Sequence, residues 1–159
     1  VSESSPPTRA DVLALLNECL TAELTAINQY FLHAKMLANW GFKSLAKTVR
    51  DESIDEMKHA DSIIERILYL EGLPNLQRLW GLRIGESPRE TMVCDLALEE
   101  EAIPRLNLGI ETCRLAGDNG SRLLLESILK AEEEHRDWLK TQLDAIDRLG
   151  ESAYFAQKL

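Results

Sequence analysis

The 159-residue chain is long enough for one domain with a substantial core, and its 45% apolar and 28% charged content excludes a disordered polymer. A formal charge of −9, from 18 basic and 27 acidic residues, argues against nonspecific binding to nucleic acid, which needs a basic surface, and favours attraction of cations. No stretch of 18 apolar residues occurs, so no membrane span is expected.

Residues 1–8 are polar and contain Pro6-Pro7. They lack the basic and apolar regions of a signal peptide and are expected to form a flexible extension ahead of a single domain over residues 9–159. Cys19, Cys94 and Cys113 are odd in number and have no zinc-type spacing, which fits reduced thiols in a cytoplasm.

Thr8-Arg9-Ala10-Asp11 reads as a capping box opening a first helix. Leu13, Leu16, Leu20, Glu23, Ile27, Tyr30, Ala34 and Leu37 then alternate three and four residues apart as one seam, which Asn39-Trp40-Gly41 ends. A second helix carries Leu45, Val49, Glu52, Glu56, His59, Ile63, Ile67 and Leu70, and Gly72-Leu73-Pro74 stops it. The short turn between the two makes them antiparallel neighbours. Ser87-Pro88-Arg89-Glu90 starts a third helix, with seam Met92, Leu96, Glu99, Ile103, Leu106, Ile110 and Cys113. After the turn Gly117–Gly120, Ser121 is placed to cap a fourth, with seam Leu125, Ile128, Glu132, His135, Leu139, Gln142, Ile146 and Leu149. Residues 151–159 suffice for a short fifth helix.

Topology rests on the connection from Gly72 to Glu86. A helix of ~29 residues is ~43 Å long, and fifteen extended residues reach roughly 50 Å. The connection can therefore run the length of the bundle and leave the third helix parallel to the second. The expected fold is all-α: a four-helix bundle with one long crossover between helices two and three. Pro104 inside the third helix removes a hydrogen bond to the carbonyl of Glu100 and is expected to kink it one turn past Glu99.

The most informative pattern is a repeat. Glu23 is followed 33 residues later by Glu56-Met57-Lys58-His59, and Glu99 is followed 33 residues later by Glu132-Glu133-Glu134-His135. Each Glu-x-x-His puts both side chains on one helical face. Seen once, such a pair is usually solvated. Here both copies sit on apolar seams with matched partners. Four facing carboxylates without counter-charge would repel one another and be desolvated at large cost, whereas two divalent cations neutralise them. Glutamate and histidine suit iron or manganese better than thiolate-preferring metals. One Glu from each of two helices with Glu-x-x-His from the other two is an established dinuclear carboxylate arrangement. His33 lies off the seam and reads as an ordinary surface or interface histidine. Glu52, one turn before Glu56, is equally consistent with passing a cation inward or with a partly solvated end residue. Tyr30 and Trp138 near the ligands read as packing, or as electron donors in oxygen chemistry.

Residues 23–31, 52–61, 70–77, 95–99 and 132–139 resemble bacterioferritin, and the likeness covers nearly the whole chain after the first ten residues. The resemblance implies a ferritin-like bundle assembled into a hollow 24-subunit shell. Each subunit would be a ferroxidase, binding two iron ions at a di-iron centre, oxidising Fe2+ with dioxygen or hydrogen peroxide and passing Fe3+ to a mineral inside. It implies Glu23, Glu56, His59, Glu99, Glu132 and His135 as metal-binding and catalytic residues, with Glu56 and Glu132 bridging. It also implies Met57 as axial ligand of a haem b shared by two subunits across a two-fold, with Leu24, Ile27, Asn28, Phe31 and Ile54 as pocket neighbours. Met57 lies about 100° around the helix from Glu56, away from the metal seam; its alternative role is packing in an apolar interface. The haem would carry electrons inward for iron release, from a small ferredoxin. A second bacterioferritin subunit type mixed into the shell stays open.

Several residues depart from the family pattern: the proline-containing extension, Pro104, the run Glu99-Glu100-Glu101, and Asp51 where many members have His. Asp51 and Asp55 are candidates for an inner-surface iron site, though two such acids are more often only solvated. Alternatives are a non-haem ferritin, a di-iron oxidase or oxygenase, and a DNA-protecting mini-ferritin. The acidic charge and the complete ligand set within one chain speak against the last.

Overall fold

The computed structural model describes residues 5–159. Four long helices, α1 (Arg9–Asn39), α2 (Lys43–Tyr69), α3 (Pro88–Leu115) and α4 (Asn119–Leu149), are followed by the short α5 (Glu151–Ala156). Of the expected N-terminal extension, residues 1–4 lie outside the described residues.

Local chemistry sets the helix ends. The Thr8 hydroxyl accepts from the Asp11 amide while the Asp11 carboxylate accepts from the Thr8 amide at 2.7 Å, so the capping box forms as read. At α3 the Ser87 hydroxyl accepts from the Glu90 amide at 3.2 Å, ahead of Pro88. Asp118, not Ser121, is the N-cap of α4. Its carboxylate accepts from both the Ser121 amide (3.0 Å) and the Ser121 hydroxyl (2.6 Å), being the stronger acceptor three residues earlier. The first three long helices end in Schellman turns, with left-handed residues Gly41 (φ +97°), Glu71 (φ +61°) and Gly117 (φ +72°). The left-handed position after α2 thus falls on Glu71 rather than on Gly72. Gly72 instead lies against Leu13, where a Cβ would come within 2.5 Å. Helix α3 continues through Pro104 to Leu115.

The crossover after α2 runs along α1 and is pinned by α1 side chains. Asn17 accepts from the Asn75 amide (2.8 Å) and donates to the Leu73 carbonyl (3.2 Å). Thr25 accepts from the Trp80 amide (3.1 Å), Gln29 from the Arg83 amide (3.0 Å) and His33 Nε2 from the Gly85 amide (3.0 Å). Contacts therefore advance along α1 as the crossover advances, which carries the chain back to the end where α2 began. Helix α3 starts there, parallel to α2 and antiparallel to α1, as the reach argument requires.

Two apolar clusters fill the bundle. One joins Val12, Leu16, Leu20, Ile63, Leu106 and Leu125; the other joins Tyr30, Leu37, Val49, Met92, Leu139 and Ile146 and is closed by Tyr154 and Phe155 of α5. On every long helix a short stretch separates the two. The equally spaced glutamates and histidines occupy that stretch, so the polar layer is held between two apolar ones.

Candidate metal centre

Six side chains predicted as ligands meet in the middle of the bundle. Glu23 comes from α1, Glu56 and His59 from α2, Glu99 from α3, and Glu132 and His135 from α4. All are buried except His59, whose side chain is 18% exposed. They form two overlapping ligand groups, Glu23–Glu56–His59–Glu132 and Glu56–Glu99–Glu132–His135, with the ligand atoms of each within 4.8 Å of one another. Glu56 and Glu132 belong to both. His59 Nδ1 lies 3.1 Å from Glu56, 3.2 Å from Glu132 and 3.6 Å from Glu23. His135 Nδ1 lies 2.8 Å from Glu99 and 3.6 Å from Glu52. The Tyr30 hydroxyl donates to Glu99 Oε1. Glu99 Oε2 is buried and accepts from no donor among the described residues, the condition of an oxygen placed for a cation.

Comparison with known proteins places the chain. Residues 13–149 match the ferritin family, described as a ferritin-like domain. Bacterioferritin BfrA of Mycobacterium tuberculosis is 58% identical over 147 residues, 92% of each chain. Its crystal structure superposes with a TM-score of 0.92 at 55% identity, covering 99% of this chain and 95% of that one. The chain is a bacterioferritin, within the ferritin family. The bacterioferritin of Rhodobacter capsulatus is 49% identical over 145 residues, 91% of this chain and 90% of that one. A structure of it, described as having a metal-free dinuclear site and haem iron in a crystallographic special position, gives a TM-score of 0.92 at 48% identity, over 94% of this chain and 93% of that one.

The electrostatics of this bacterioferritin's centre follow from crowding. Burial, then repulsion from Glu23, holds the Glu56 carboxyl well above the usual carboxylate range. Burial, then repulsion from Glu56 and Glu99, does the same to Glu132. Burial also raises Glu23. Burial opposes ionisation of Glu99, but hydrogen bonds from His135, Glu132 and Tyr30 outweigh it and leave Glu99 below the usual range. Burial disfavours charge on the histidines. The surrounding carboxylates more than compensate, raising His59 to about 12 and His135 to about 9. Without metal the crowded layer thus retains protons that the same side chains would release in water, most strongly at Glu56, Glu132 and the two histidines.

Two openings reach the centre. A cleft of about 320 Å³ between α2 and α4 is walled by Glu52, Asp55, Lys58, Glu134 and Trp138. Its charged walls suit a hydrated cation better than an apolar organic substrate. A passage of only about 20 Å³ emerges between α1, α3 and the crossover, beside Trp80, Glu101 and Arg105. Tyr30 meets His135 edge-on at 5.3 Å, and Trp138 stacks on His135 at 6.3 Å.

Outside this layer several residues behave differently from expectation. His33 is fully buried, not a surface histidine. Its Nε2 accepts from Gly85, so its Nδ1–H donates to Asp95 at 2.7 Å; Gln29 donates to the same oxygen at 2.9 Å. Sequence reading missed this Gln29–His33–Asp95 group. Its signal was the spacing of Asn17, Thr21, Thr25, Gln29 and His33, every fourth residue beside the apolar seam. Asp51 and Asp55 each bind a lysine, Lys47 and Lys58, at 2.6 Å, and they do not join a common ligand cluster. Met57 is 56% exposed on the outer face with Ile54 and Phe31.

Proposed function

We propose that this bacterioferritin stores and detoxifies iron by oxidising Fe2+ at the six-residue layer. Glu23 and His59 hold one Fe2+ and Glu99 and His135 the other, while Glu56 and Glu132 bridge them. The sharing of these two carboxylates by both ligand groups carries the reading. A bridged pair brings two one-electron donors to one oxidant. Two Fe2+ give two electrons, which with two protons reduce dioxygen to hydrogen peroxide, or hydrogen peroxide to two waters. The product Fe3+ moves to a mineral.

The protein's own part is electrostatic. Arriving Fe2+ competes with the protons the crowded layer retains, and the four positive charges of two such ions match the four carboxylates. Tyr30 donates to Glu99 Oε1 and holds this carboxylate in place, leaving its other oxygen free for a cation. The charged α2–α4 cleft supplies a path for the cation past Glu52.

We further propose a haem at Met57. A thioether on an exposed apolar strip suits this soft axial ligand. Haem iron on a symmetry position in the Rhodobacter protein supports sharing by two subunits. Bound haem supplies a one-electron carrier between an external reductant, a small ferredoxin, and stored iron. The assembly is a 24-subunit shell and the compartment the cytoplasm; no helix among the described residues is long and apolar enough to cross a membrane.

Stopped-flow oxidation at two Fe2+ per subunit tests the centre: Glu23→Ala and His135→Ala should each abolish the rapid phase. Unchanged rates in both defeat the assignment.

A further inference from the structure

The two openings of the metal layer lie on opposite sides of the bundle, because α1 packs on α2 and α3 while α4 packs on α3 and α2. They differ in size and in charge. The α2–α4 cleft of about 320 Å³ carries Glu52, Asp55 and Glu134 against a single cation, Lys58, which Asp55 neutralises at 2.6 Å. The α1–α3 passage, at about 20 Å³, has room for about one water-sized molecule. Ala22, Ala26, Leu98 and Ala102 line its walls, and its inner end is the metal layer itself. At its mouth the Arg105 guanidinium lies over the Trp80 ring, 4.6 Å from the centroid. The neighbouring acid, Glu101, is taken up by Arg83, whose Nη2 donates to both carboxylate oxygens at 2.7 Å. Among the described residues Arg105 makes no ion pair, so the charge left over at this mouth is positive. Trp80 belongs to neither apolar cluster of the core. The crossover nonetheless holds it in place: its amide donates to Thr25 Oγ1 at 3.1 Å, and the Arg83 amide donates to Gln29 Oε1 at 3.0 Å.

We propose that the α1–α3 passage is the entrance for dioxygen, with Trp80 and Arg105 selecting it against cations, and that Fe2+ enters by the opposite cleft. Dioxygen is neutral, apolar and diatomic. It passes a water-wide gap end-on, gains from alanine and leucine walls and is indifferent to the charge on Arg105. Hydrated Fe2+ meets the reverse conditions. With about six waters it occupies on the order of 180 Å³ at ~30 Å³ per water, so it must shed that shell to enter. It must also pass an unpaired guanidinium, which repels it. The cation–π seat on Arg105 holds Trp80 across the mouth, and the small alanine side chains leave the gap that a larger residue would fill. Separate entrances let iron and oxidant meet at the bridged pair and nowhere before it. The proposal rests on the ferroxidase reading above and adds the route of its second substrate and the residues that select it.

The test reads entry without turnover. Full-length protein is loaded anaerobically with two Fe2+ per chain and mixed with nitric oxide, a neutral diatomic probe, and the growth of the iron–nitrosyl absorbance is followed by stopped flow. Co2+ loading of the metal-free protein is timed in the same instrument. Ala102→Leu, which fills the gap, should slow nitric oxide binding by about tenfold or more and leave the rate and stoichiometry of Co2+ loading parental. Ala22→Leu narrows the same passage from α1 and takes its place if Ala102→Leu does not fold. Trp80→Ala opens the mouth and should speed nitric oxide binding; adding Arg105→Glu should also speed Co2+ loading, by giving the cation a second entrance. Glu134→Lys, in the opposite cleft, should slow Co2+ loading and leave nitric oxide binding at the parental rate. Parental nitric oxide rates in the narrowed or the opened variant, parental Co2+ loading in the opened acidic one, or equal slowing of both probes by Ala102→Leu overturns the proposal. Oxidation of prebound Fe2+ by dioxygen should follow the nitric oxide rates across the series. A parent with no rapid oxidation phase would defeat the ferroxidase reading, and the nitric oxide rates would still decide the passage.

Discussion

Replacing Glu56 by Gln should make the metal-free protein more stable while removing its metal affinity. Glu56 is 2% exposed, and burial with repulsion from Glu23 keeps its carboxyl protonated far above 4.5, its ordinary value. The unfolded chain releases that proton near 4.5, so above this pH the folded state binds one proton more than the unfolded state. Stability then falls as pH rises, by about 1.4 kcal/mol per pH unit for each such carboxyl until the folded group ionises. Between pH 5.5 and 6.5 His59 and His135 remain largely protonated in the folded protein, and their contribution is common to parent and variant. The difference between the two proteins therefore isolates Glu56. Urea unfolding of metal-free parent and Glu56→Gln, at one subunit concentration, should show the variant gaining on the parent as pH rises across that unit, by at most about 1.4 kcal/mol. Glutamine keeps an oxygen for the His59 Nδ1–H 3.1 Å away, so packing changes little. Added Co2+ at about 100 times its dissociation constant should stabilise the parent by about 2.7 kcal/mol and the variant by much less. Parallel pH dependences would refute the reasoning, because Glu56 would then be ionised in the metal-free fold.

Four further outcomes are expected. Loss of a metal ligand in Glu23→Ala should lower Co2+ affinity by on the order of 100-fold or more by titration, exceeding the effect of an outer-shell change. Tyr30→Phe removes the donor to Glu99 Oε1 at a fully buried site and should cost about 1–3 kcal/mol of stability by denaturant melt, with weaker binding of the second metal. Met57→Leu should abolish haem absorbance while leaving rapid Fe2+ oxidation intact; retained haem at the parental stoichiometry defeats the axial assignment. His33→Ala strands the Gly85 amide and leaves Asp95 with Gln29 as its side-chain donor, and should cost about 1–3 kcal/mol. Faster hydrogen exchange at the Gly85 amide separates that loss from general loosening.

The metal layer was legible because its signal is periodic and duplicated. Glu23 and Glu99 sit on the 3.6-residue seam, and the equal spacing to each Glu-x-x-His identifies which acids face inward. The helix starts at Thr8 and Ser87 were readable for a similar reason, since a cap needs only residues three apart. The clasp of Gln29, His33 and Asp95 was not. These side chains lie off the apolar seam, and what buries them is the crossover, a segment without period of its own. A histidine outside the seam looks like a surface residue until the chain that covers it is placed. The α4 cap was misassigned because two acceptors, Asp118 and Ser121, stand within one turn and only the backbone decides between them. Asp51 and Asp55 illustrate the converse: lysines at i−4 and i+3 neutralise them locally, which a count of acids does not reveal.

Helix α2 works on two faces at once. Glu56 points into the metal layer, and Met57, one residue on, points to the outer face about 100° away. A rotation that improves one face misaligns the other, so the helix tolerates no kink and no bulge between Lys43 and Tyr69. Its sequence obeys this: residues 43–69 contain neither glycine nor proline, and the same holds for α1 over 9–39, which forms the other half of that outer face. Helix α3 has a single inward duty, through Glu99, and accommodates Pro104 and Gly109 within the two to three turns that follow it. The distribution of helix-breaking residues thus tracks the number of faces each helix must keep in register. A one-residue insertion into α2 after Met57 would leave Glu56 and Met57 aligned but turn His59 away from Glu132, separating loss of metal from loss of haem.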